Sequence, residues 1–392
     1  MAKLRRRDFL ASGSALAAAT ALVPAWLSCS ARELAGGGRR RRLVVIQLAG
    51  GNDGLATLVP TQGLGLEAAR PTLTPRAGSG AAVVEGLRWG AGTEQLARLA
   101  DAGLLAGIQA VGYPNAHRSH FISTDVWHAG HLRPEPGYTG WLGRYLDAEC
   151  ADRPLAVSVA PQARGLMRGE SCRDYQFAAL AKTAGYLDLL GNEDVGHGGL
   201  PEDPYVAKLR AASSAQTGYL LERTRRVARP PGFPATPFGQ QLADIARLLL
   251  ADEHATVYYA EQGGYDTHAG QAPRHEALMR DYGEAVGALV SVLREARLLD
   301  ETLIFTFSEF GRRVAVNGSG GTDHGKANLA WVIGGAVRPP APRSLRPELA
   351  ELDDGDLAMR VDFRAVYATI LRRWLGADPR AIVGDFAPLD FI

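Results

Sequence analysis

Short runs of apolar residues, each ended by glycine or polar residues, alternate along this chain with longer segments of helical periodicity. Residues 43–48 form the first run, LVVIQL, which Ala49 and two glycines end. A nearly continuous apolar run of this length is typical of a strand buried on both faces. Similar runs, which predict further strands, occur at 105–111, 155–159, 255–260, 303–307 and 329–333.

Apolar positions three and four residues apart characterise the segments between these strands and predict amphipathic helices. The predicted helices are 93–102, 139–148, 205–227, 240–250, 274–299 and 364–375, with another that begins at Ile122. Strands that alternate with helices predict an α/β fold, with a mostly parallel sheet and helices on both faces. In such sheets a functional site lies at the carboxyl ends of the strands.

Two stretches do not follow this alternation. They are 60–92, which is rich in glycine and threonine, and 165–204, which mixes polar turns with a short helical piece. We interpret both as insertions over the edge of the sheet. Residues 43–392 are therefore predicted to form a single α/β domain, preceded by a glycine- and arginine-rich linker at 32–42.

The first 31 residues have the pattern of an export signal. Residues 5–10, RRRDFL, precede an uncharged, alanine-rich stretch at 11–27. This pattern is similar to the twin-arginine signal, which directs folded proteins across the bacterial inner membrane. We expect cleavage after Ala31, a periplasmic or secreted mature protein, and the twin-arginine translocase as its partner during export. An uncleaved anchor and a lipoprotein modified at Cys29 are the alternatives.

Composition and charge exclude several classes of protein. A hydrophobic fraction of 46% with 22% charged residues is typical of a globular chain, which excludes disordered and fibrous proteins. The formal net charge of +1 supplies no overall field that attracts nucleic acid, so we expect no nucleic-acid partner. No segment after the signal is long and apolar enough to predict a membrane span. The absence of a G-x-S-x-G motif disfavours an α/β-hydrolase.

Two of the three cysteines, Cys150 and Cys172, lie in the mature part of the chain. In an oxidising compartment a disulfide between them is plausible. Two separate buried thiols fit the sequence equally well, because the sequence does not give the distance between their Cα atoms.

Four polar clusters lie at the ends of predicted strands, and this shared position is the main functional signal. They are GGNDG at 50–54, NAHRSHF at 115–121, GGYDTH at 263–268, and a segment from SEFGRR at 308–313 to TDHGK at 322–326. Singly, each has an ordinary explanation, such as a turn or a helix N-cap. Jointly, they supply carboxylates and imidazoles to one edge of the sheet, a combination that suits zinc or manganese.

The order of these clusters resembles the alkaline phosphatase-like superfamily. More narrowly, the twin-arginine leader together with GGNDGL, RSHF, YDTH, SEFGR and DHG looks like an uncharacterised family of exported bacterial proteins within it. The resemblance extends from Arg6 to about Leu375. It implies a three-layer α/β sandwich and the hydrolysis or transfer of phosphoryl or sulfuryl esters.

In that superfamily one metal ion is held by an aspartate after the first strand, by the nucleophile and by a late carboxylate. Asp53, Ser119 and Glu309 match these positions. In this chain Phe310 occupies the position of the usual partner that follows the late carboxylate, and a phenyl ring cannot bind a metal. This metal site therefore lacks a ligand unless Asp323 supplies it.

The other metal ion of the superfamily takes an aspartate, a histidine a few residues later and a final histidine before a strand. Asp266, His268 and His324 match, although the gap between the first two is shorter than usual. An alternative alignment makes Asp323 and His324 the pair, but it leaves no later histidine, because His324 is the last one in the chain.

The resemblance implies one or two divalent ions, zinc or manganese, with Ser119 as the nucleophile and Arg118 as the residue that positions the anion. The expected substrate is a small anionic ester. The alternative is a degenerate member that binds an envelope glycan or protein without turnover, an interpretation that Phe310 favours.

Overall fold

The structure is a computed structural model, and it describes residues 41–61, 65–73, 82–84, 87–149, 156–160, 165–170, 175–176, 222–251, 255–339 and 352–392. The predicted export signal, most of the linker, Cys29, the pair Cys150 and Cys172, and most of the predicted helix at 205–227 lie outside these residues. Most of the predicted insertion at 165–204 lies outside them as well.

Six strands of the described part lie close to the six predicted apolar runs of the sequence, and seven further strands, each of two or three residues, do not. In chain order, the strands are β1 (Arg42–Ala49), β2 (Leu58–Pro60), β3 (Ala82–Val84), β4 (Leu87–Trp89), β5 (Leu105–Gly112), β6 (Ala156–Ser158), β7 (Tyr175–Gln176), β8 (Val257–Gly263), β9 (Thr302–Phe307), β10 (Asn328–Ile333), β11 (Leu352–Asp353), β12 (Asp356–Leu357) and β13 (Val361–Asp362).

The helices follow the predicted amphipathic segments within a few residues, and two short helices precede them. They are α1 (Gly54–Thr57), α2 (Leu66–Ala69), α3 (Glu94–Asp101), α4 (His120–Ala129), α5 (Trp141–Glu149), α6 (Pro237–Ala251), α7 (Gln271–Glu295) and α8 (Phe363–Thr369), which continues as a π-helical turn over Ile370–Leu375. Among the described residues, none of the helices combines the length and apolar character needed to cross a membrane.

Eight strands form the central sheet, in the order β13-β5-β10-β9-β1-β8-β6-β7. β1 is parallel to β8 and β9, and β6 is parallel to β8 and β7. Of these eight described strands only β10 reverses direction, because it is antiparallel to both β5 and β9. The prediction of a mostly parallel sheet is confirmed. Strands β2, β4 and β3 form a separate small sheet within the stretch 60–92 and just before it.

Helices cover both faces of the sheet, as the apolar strands require. On β1, Val44 and Ile46 face the core that contains α3, α6 and α7, whereas Leu43 and Val45 face the core that contains α4, α5 and α8. Successive side chains of a strand point to opposite faces, so a strand between two helical layers must be apolar throughout. The three-layer α/β sandwich that the sequence predicts is therefore confirmed.

The longest helix of the described part, α7, shows how the sequence supplies one of these layers. Its fully buried positions recur at intervals of three and four residues, which places them along one side of the helix. They are Met279, Tyr282, Val286, Leu289 and Leu293. Burial of each such side chain contributes about 1.5–3 kcal/mol to folding.

Candidate metal centre

The loops that carry the polar clusters meet at one edge of the sheet. β1, β5, β8 and β9 share a direction, so their carboxyl ends lie together. β10 runs the opposite way, so the loop before it, which carries Asp323 and His324, reaches the same edge. An isolated bridge between Arg312 and His324 connects this loop to the one after β9.

Asp53, in the loop after β1, is buried and bonded within the protein. Its Oδ1 accepts hydrogen bonds from the amides of Leu55 and Ala56, each at 3.1 Å, and caps α1. Its Oδ2 pairs with the buried guanidinium of Arg70 at 2.7 Å and accepts a hydrogen bond from Gln271. Burial acts to raise the pKa of Asp53, but the charge of Arg70 opposes it and the pKa is lowered. Since both oxygens have partners, Asp53 does not join the other predicted ligands.

Arg118, between β5 and α4, is held by the β11–β12 hairpin. Its guanidinium contacts Asp354 at 2.9 Å and Asp356, whose Oδ2 lies 3.0 Å from Nε. Its main-chain carbonyl accepts a hydrogen bond from Nδ1 of His324 at 2.7 Å. The guanidinium is thus bonded to protein carboxylates, and the residue contacts the site through its main chain.

Ser119 occupies the N-cap position of α4, with an extended backbone at φ −100° and ψ 127°. Its hydroxyl makes no capping hydrogen bond. The ordinary explanation for a serine at a helix start, capping of the first amides, therefore does not account for this side chain. It is partly exposed and directly precedes His120.

His120, the first residue of α4, turns one ring nitrogen to a buried carboxylate. Its Nδ1 lies 2.8 Å from Oε1 of Glu309, which also accepts a hydrogen bond from the amide of Gly50 at 2.8 Å. A neutral imidazole that donates from Nδ1 has a lone pair on Nε2. This Nε2 is buried without a hydrogen-bond partner among the described residues and lies 3.6 Å from Oδ2 of Asp266. A buried nitrogen of this kind fits a metal ligand.

His268 and His324 have the same arrangement of their rings. Nδ1 of His268 lies 3.1 Å from Oδ1 of Asp323, and Nδ1 of His324 lies 2.7 Å from the carbonyl of Arg118. Their Nε2 atoms are 3.0 and 3.1 Å from Oδ1 of Asp266. Three imidazoles therefore point their Nε2 atoms at one carboxylate, and each uses Nδ1 to bond an acceptor. Acceptors on the far side of ligand histidines are typical of metal sites.

Within the described residues, side-chain atoms of His120, Asp266 and His324 lie within 4.8 Å of one another. His268 joins them through its contacts with Asp266 and His324. The side chains of Asp266 and His268 are 48% and 45% exposed, so the group is open to solvent. Three imidazoles and one carboxylate form a donor set that suits zinc, and also manganese.

Arg312 fixes the carboxylate at the middle of this group. Its buried Nη2 lies 2.8 Å from Oδ1 of Asp266, while its other donors bond the carbonyls of Gly51 at 2.7 Å and Thr322 at 2.8 Å. Burial acts to raise the pKa of Asp266, but the hydrogen bond from Arg312 and the positive charge of this guanidinium oppose burial, and the pKa is lowered to about 2. Asp266 is therefore ionised at neutral pH and available to a cation.

Phe310 forms an apolar wall beside the group. Its ring centre lies 4.8 Å from those of His120 and His324. A Cβ at Gly51 would lie 2.5 Å from the Phe310 ring, so this position needs glycine for steric reasons. The sequence predicts that Phe310 is not a metal ligand. In the structure its ring packs against the imidazoles of His120 and His324.

Of the predicted site residues, Asp266, His268 and His324 form the inner group. Glu309 and Asp323 lie outside this inner group and accept hydrogen bonds from Nδ1 of His120 and of His268, respectively. Asn317 also donates to Asp323 and, with His268, lowers its pKa. Ser119 directly precedes His120 in the chain, whereas the side chains of Arg118 and Asp53 are bonded elsewhere.

Sequence reasoning missed His120 as a member of the inner group. The motif RSHF contains it, directly after the candidate nucleophile, but only the distance to Asp266 distinguishes it from an ordinary polar histidine. It also missed Arg312 and Arg70, because an arginine in a loop is most often exposed.

Residues 208–391 match the model of a family whose description is protein of unknown function (DUF1501). This match spans slightly less than half of the chain. No curated protein sequence matches the chain.

Several solved structures are similar to this chain. PsFucS1 sulfatase from Pseudoalteromonas sp. shares 15% identity over 93% of this chain and 73% of its own, with a TM-score of 0.42. The C-terminal periplasmic domain of EcEptC from Escherichia coli, in complex with Zn, shares 8% identity over 89% and 83%, with a TM-score of 0.39. A mutant TAB5 alkaline phosphatase with bound Mg shares 10% identity over 86% and 99%, with a TM-score of 0.39.

At identities of 8–15% the similarity concerns the fold. The chemistry depends on the side chains of the centre.

Proposed function

We propose that this protein is an exported, metal-dependent hydrolase of phosphoryl or sulfuryl esters, with Ser119 as its nucleophile. One observation carries the proposal: three imidazole Nε2 atoms meet the ionised carboxylate of Asp266 at the carboxyl edge of the sheet. The partly exposed Ser119 directly precedes His120, one of these three histidines, in the sequence. The expected substrate is a small anionic ester.

A divalent ion, zinc or manganese, would be held by His120, Asp266, His268 and His324. When bound, such an ion stabilises developing negative charge and favours the ionised form of a nearby hydroxyl. Glu309 and Asp323 orient two of the rings through their Nδ1 atoms, and the carbonyl of Arg118 orients the third.

The hydroxyl of Ser119 is free of capping bonds, which supports its role as the attacking group. The amides at the start of α4 attract an anion at the same place, although by only about 0.3–1 kcal/mol. Arg118 was expected to position the anion, but its guanidinium is bonded to Asp354 and Asp356. We therefore assign Arg118 a positioning role toward His324.

The test measures hydrolysis of an aryl phosphate and an aryl sulfate together with metal content. Ser119→Ala should abolish turnover and leave the metal in place, whereas His324→Ala should reduce both. Ser319→Ala replaces an exposed serine of a nearby loop and serves as the control, with both readouts unchanged. Turnover that persists in Ser119→Ala would contradict the assignment of the nucleophile.

A second candidate function is binding of an envelope glycan or protein without turnover. The ion pair of Asp53 with Arg70 and the ring of Phe310 favour it, because both occupy positions where the resemblance leads us to expect metal ligands. Bound metal without hydrolysis of either ester, in protein of intact fold, would support this candidate over the enzyme.

We propose that the mature protein acts in the periplasm or outside the cell after twin-arginine export. The arginine pair of the leader supports this route. The twin-arginine route carries folded proteins, so a metal ion can be bound before export. A protein with a metal site therefore suits this route.

A further inference from the structure

Two carboxylates that the sequence assigns to a metal ion, Asp53 and Glu309, already have all their oxygens in contact with protein groups. Oδ1 of Asp53 accepts two main-chain amides, and its Oδ2 faces Arg70 and Gln271. Oε1 of Glu309 faces His120 and the amide of Gly50, while its Oε2 lies 3.3 Å from the hydroxyl of Ser308.

The guanidinium of Arg70 is a fixed cation inside the protein. It is 2% exposed, and besides the 2.7 Å contact with Asp53 it donates to the carbonyls of Arg313 and Val314, each at 2.6 Å. A buried carboxylate needs a compensating positive charge, and Arg70 supplies it. A metal ion at Asp53 would have to displace this guanidinium from its buried partners.

The charges around the centre match one divalent cation. Asp53 is paired with Arg70 and Asp266 with Arg312. Two further carboxylates, Glu309 and Asp323, face imidazoles rather than guanidiniums. The two negative charges of that second pair balance a single divalent ion bound at the Nε2 atoms of the same imidazoles.

We propose that this chain binds one metal ion, at His120, Asp266, His268 and His324, and that the Asp53–Arg70 ion pair takes the place of a second ion. The inference rests on the metal centre of the proposed function and limits that centre to one ion. A single ion with three imidazole ligands must then serve the whole reaction, and Asp53 contributes to the fold rather than to metal binding.

The experiment counts bound ions and does not depend on turnover. Protein freed of metal by a chelator is titrated with zinc and, separately, with cobalt, and bound metal is measured after dialysis. We expect saturation at one ion per chain. His120→Ala should weaken cobalt binding by more than about 100-fold and reduce the visible absorption of the four-coordinate cobalt ion. His131→Ala removes an imidazole outside the centre and should change neither readout.

Asp53→Asn tests whether Asp53 is a metal ligand or only the partner of Arg70. If it is only the partner of Arg70, the variant should still bind one ion per chain with unchanged affinity. Two ions per wild-type chain, or unchanged cobalt binding in His120→Ala, would overturn the inference. If Asp53→Asn does not fold, the wild-type count and the His120 variant still decide. A chain that binds neither metal overturns both the inference and the proposed function, whereas one bound ion without turnover contradicts only the enzyme.

Discussion

The Nε2 atoms of His268 and His324 lie 2.9 Å apart, and Nδ1 of each ring faces an acceptor. Two imidazoles that donate from Nδ1 direct their Nε2 lone pairs toward each other and toward the carboxylate of Asp266. Lone pairs at such a distance repel each other, and a cation bound between them removes this repulsion. The short distance between these two nitrogens therefore favours a cation bound at this edge of the sheet.

Gly50 is expected to control the position of Asp266. It has a φ of +113°, and a Cβ there would lie 2.5 Å from the amide nitrogen of Asp266. Gly50→Ala should therefore displace Asp266 and weaken zinc binding by at least about tenfold, measured by competition with a chelating dye.

Gly137→Ala is the matched control, because Gly137 has a φ of +88° and a Cβ added there would meet no atom of the described residues within 4 Å. It should lower the free energy of unfolding by about 1–2 kcal/mol through backbone strain alone and leave zinc affinity unchanged. Equal effects of the two substitutions on zinc affinity would show that the contact with Asp266 is unimportant.

Asp356 is expected to act on the centre through Arg118. Its side chain is fully buried against Arg118, whereas Asp354, the other partner of that guanidinium, is 71% exposed. Asp356→Asn removes the buried partner, so Arg118 and the carbonyl that orients His324 should loosen. Zinc affinity should fall by roughly tenfold. Asp354→Asn should have little effect, because exposed ion pairs contribute little.

These two variants are compared by zinc titration and by thermal unfolding in the presence of a chelator. A larger loss of zinc affinity in Asp354→Asn than in Asp356→Asn would reverse the assignment of the positioning residue.

His275 is expected to make stability depend on pH. It is buried, with Nε2 3.0 Å from Oδ1 of Asn52, and burial lowers its pKa from 6.5 to about 4 although Asp53 opposes the shift. As pH falls below 6.5 the unfolded chain therefore takes up the proton first, which favours unfolding. The free energy of unfolding should fall between about pH 6.5 and 4, by up to roughly 3 kcal/mol from this group.

Urea unfolding of the wild type and of His275→Gln across this range measures the effect. Glutamine can still donate to Asn52 but does not titrate, so its curve should be flatter between pH 6.5 and 4. Parallel curves for the two proteins would mean that His275 titrates normally.

Export should depend on the arginine pair of the leader. Replacement of both Arg6 and Arg7 by lysine removes the feature that characterises the twin-arginine signal while preserving its charge. We expect the variant to remain in the cytoplasm, as fractionation and immunoblotting would show. Unchanged export would remove the twin-arginine assignment but leave the metal centre untouched.

The layers of the fold follow from the pattern of apolar residues in the sequence. A strand between two helical layers must be apolar on both sides, so the runs at 43–48 and 303–307 could be recognised without any knowledge of their neighbours. The positions at strand ends also predicted that six polar residues share one edge of the sheet: Asp53, Asp266, His268, Glu309, Asp323 and His324. The family resemblance, rather than the sheet, grouped Asp266, His268 and His324 as ligands of one ion.

The partner of each charged group, in contrast, depends on tertiary packing. Asp53 and Asp266 both follow a strand, yet Asp53 meets Arg70 in the interior and Asp266 meets three imidazoles at the solvent edge. His120 differs from other polar histidines only by its distance from Asp266, a residue more than a hundred positions away. Such contacts depend on how loops from different strands pack together, and local sequence does not contain that distance.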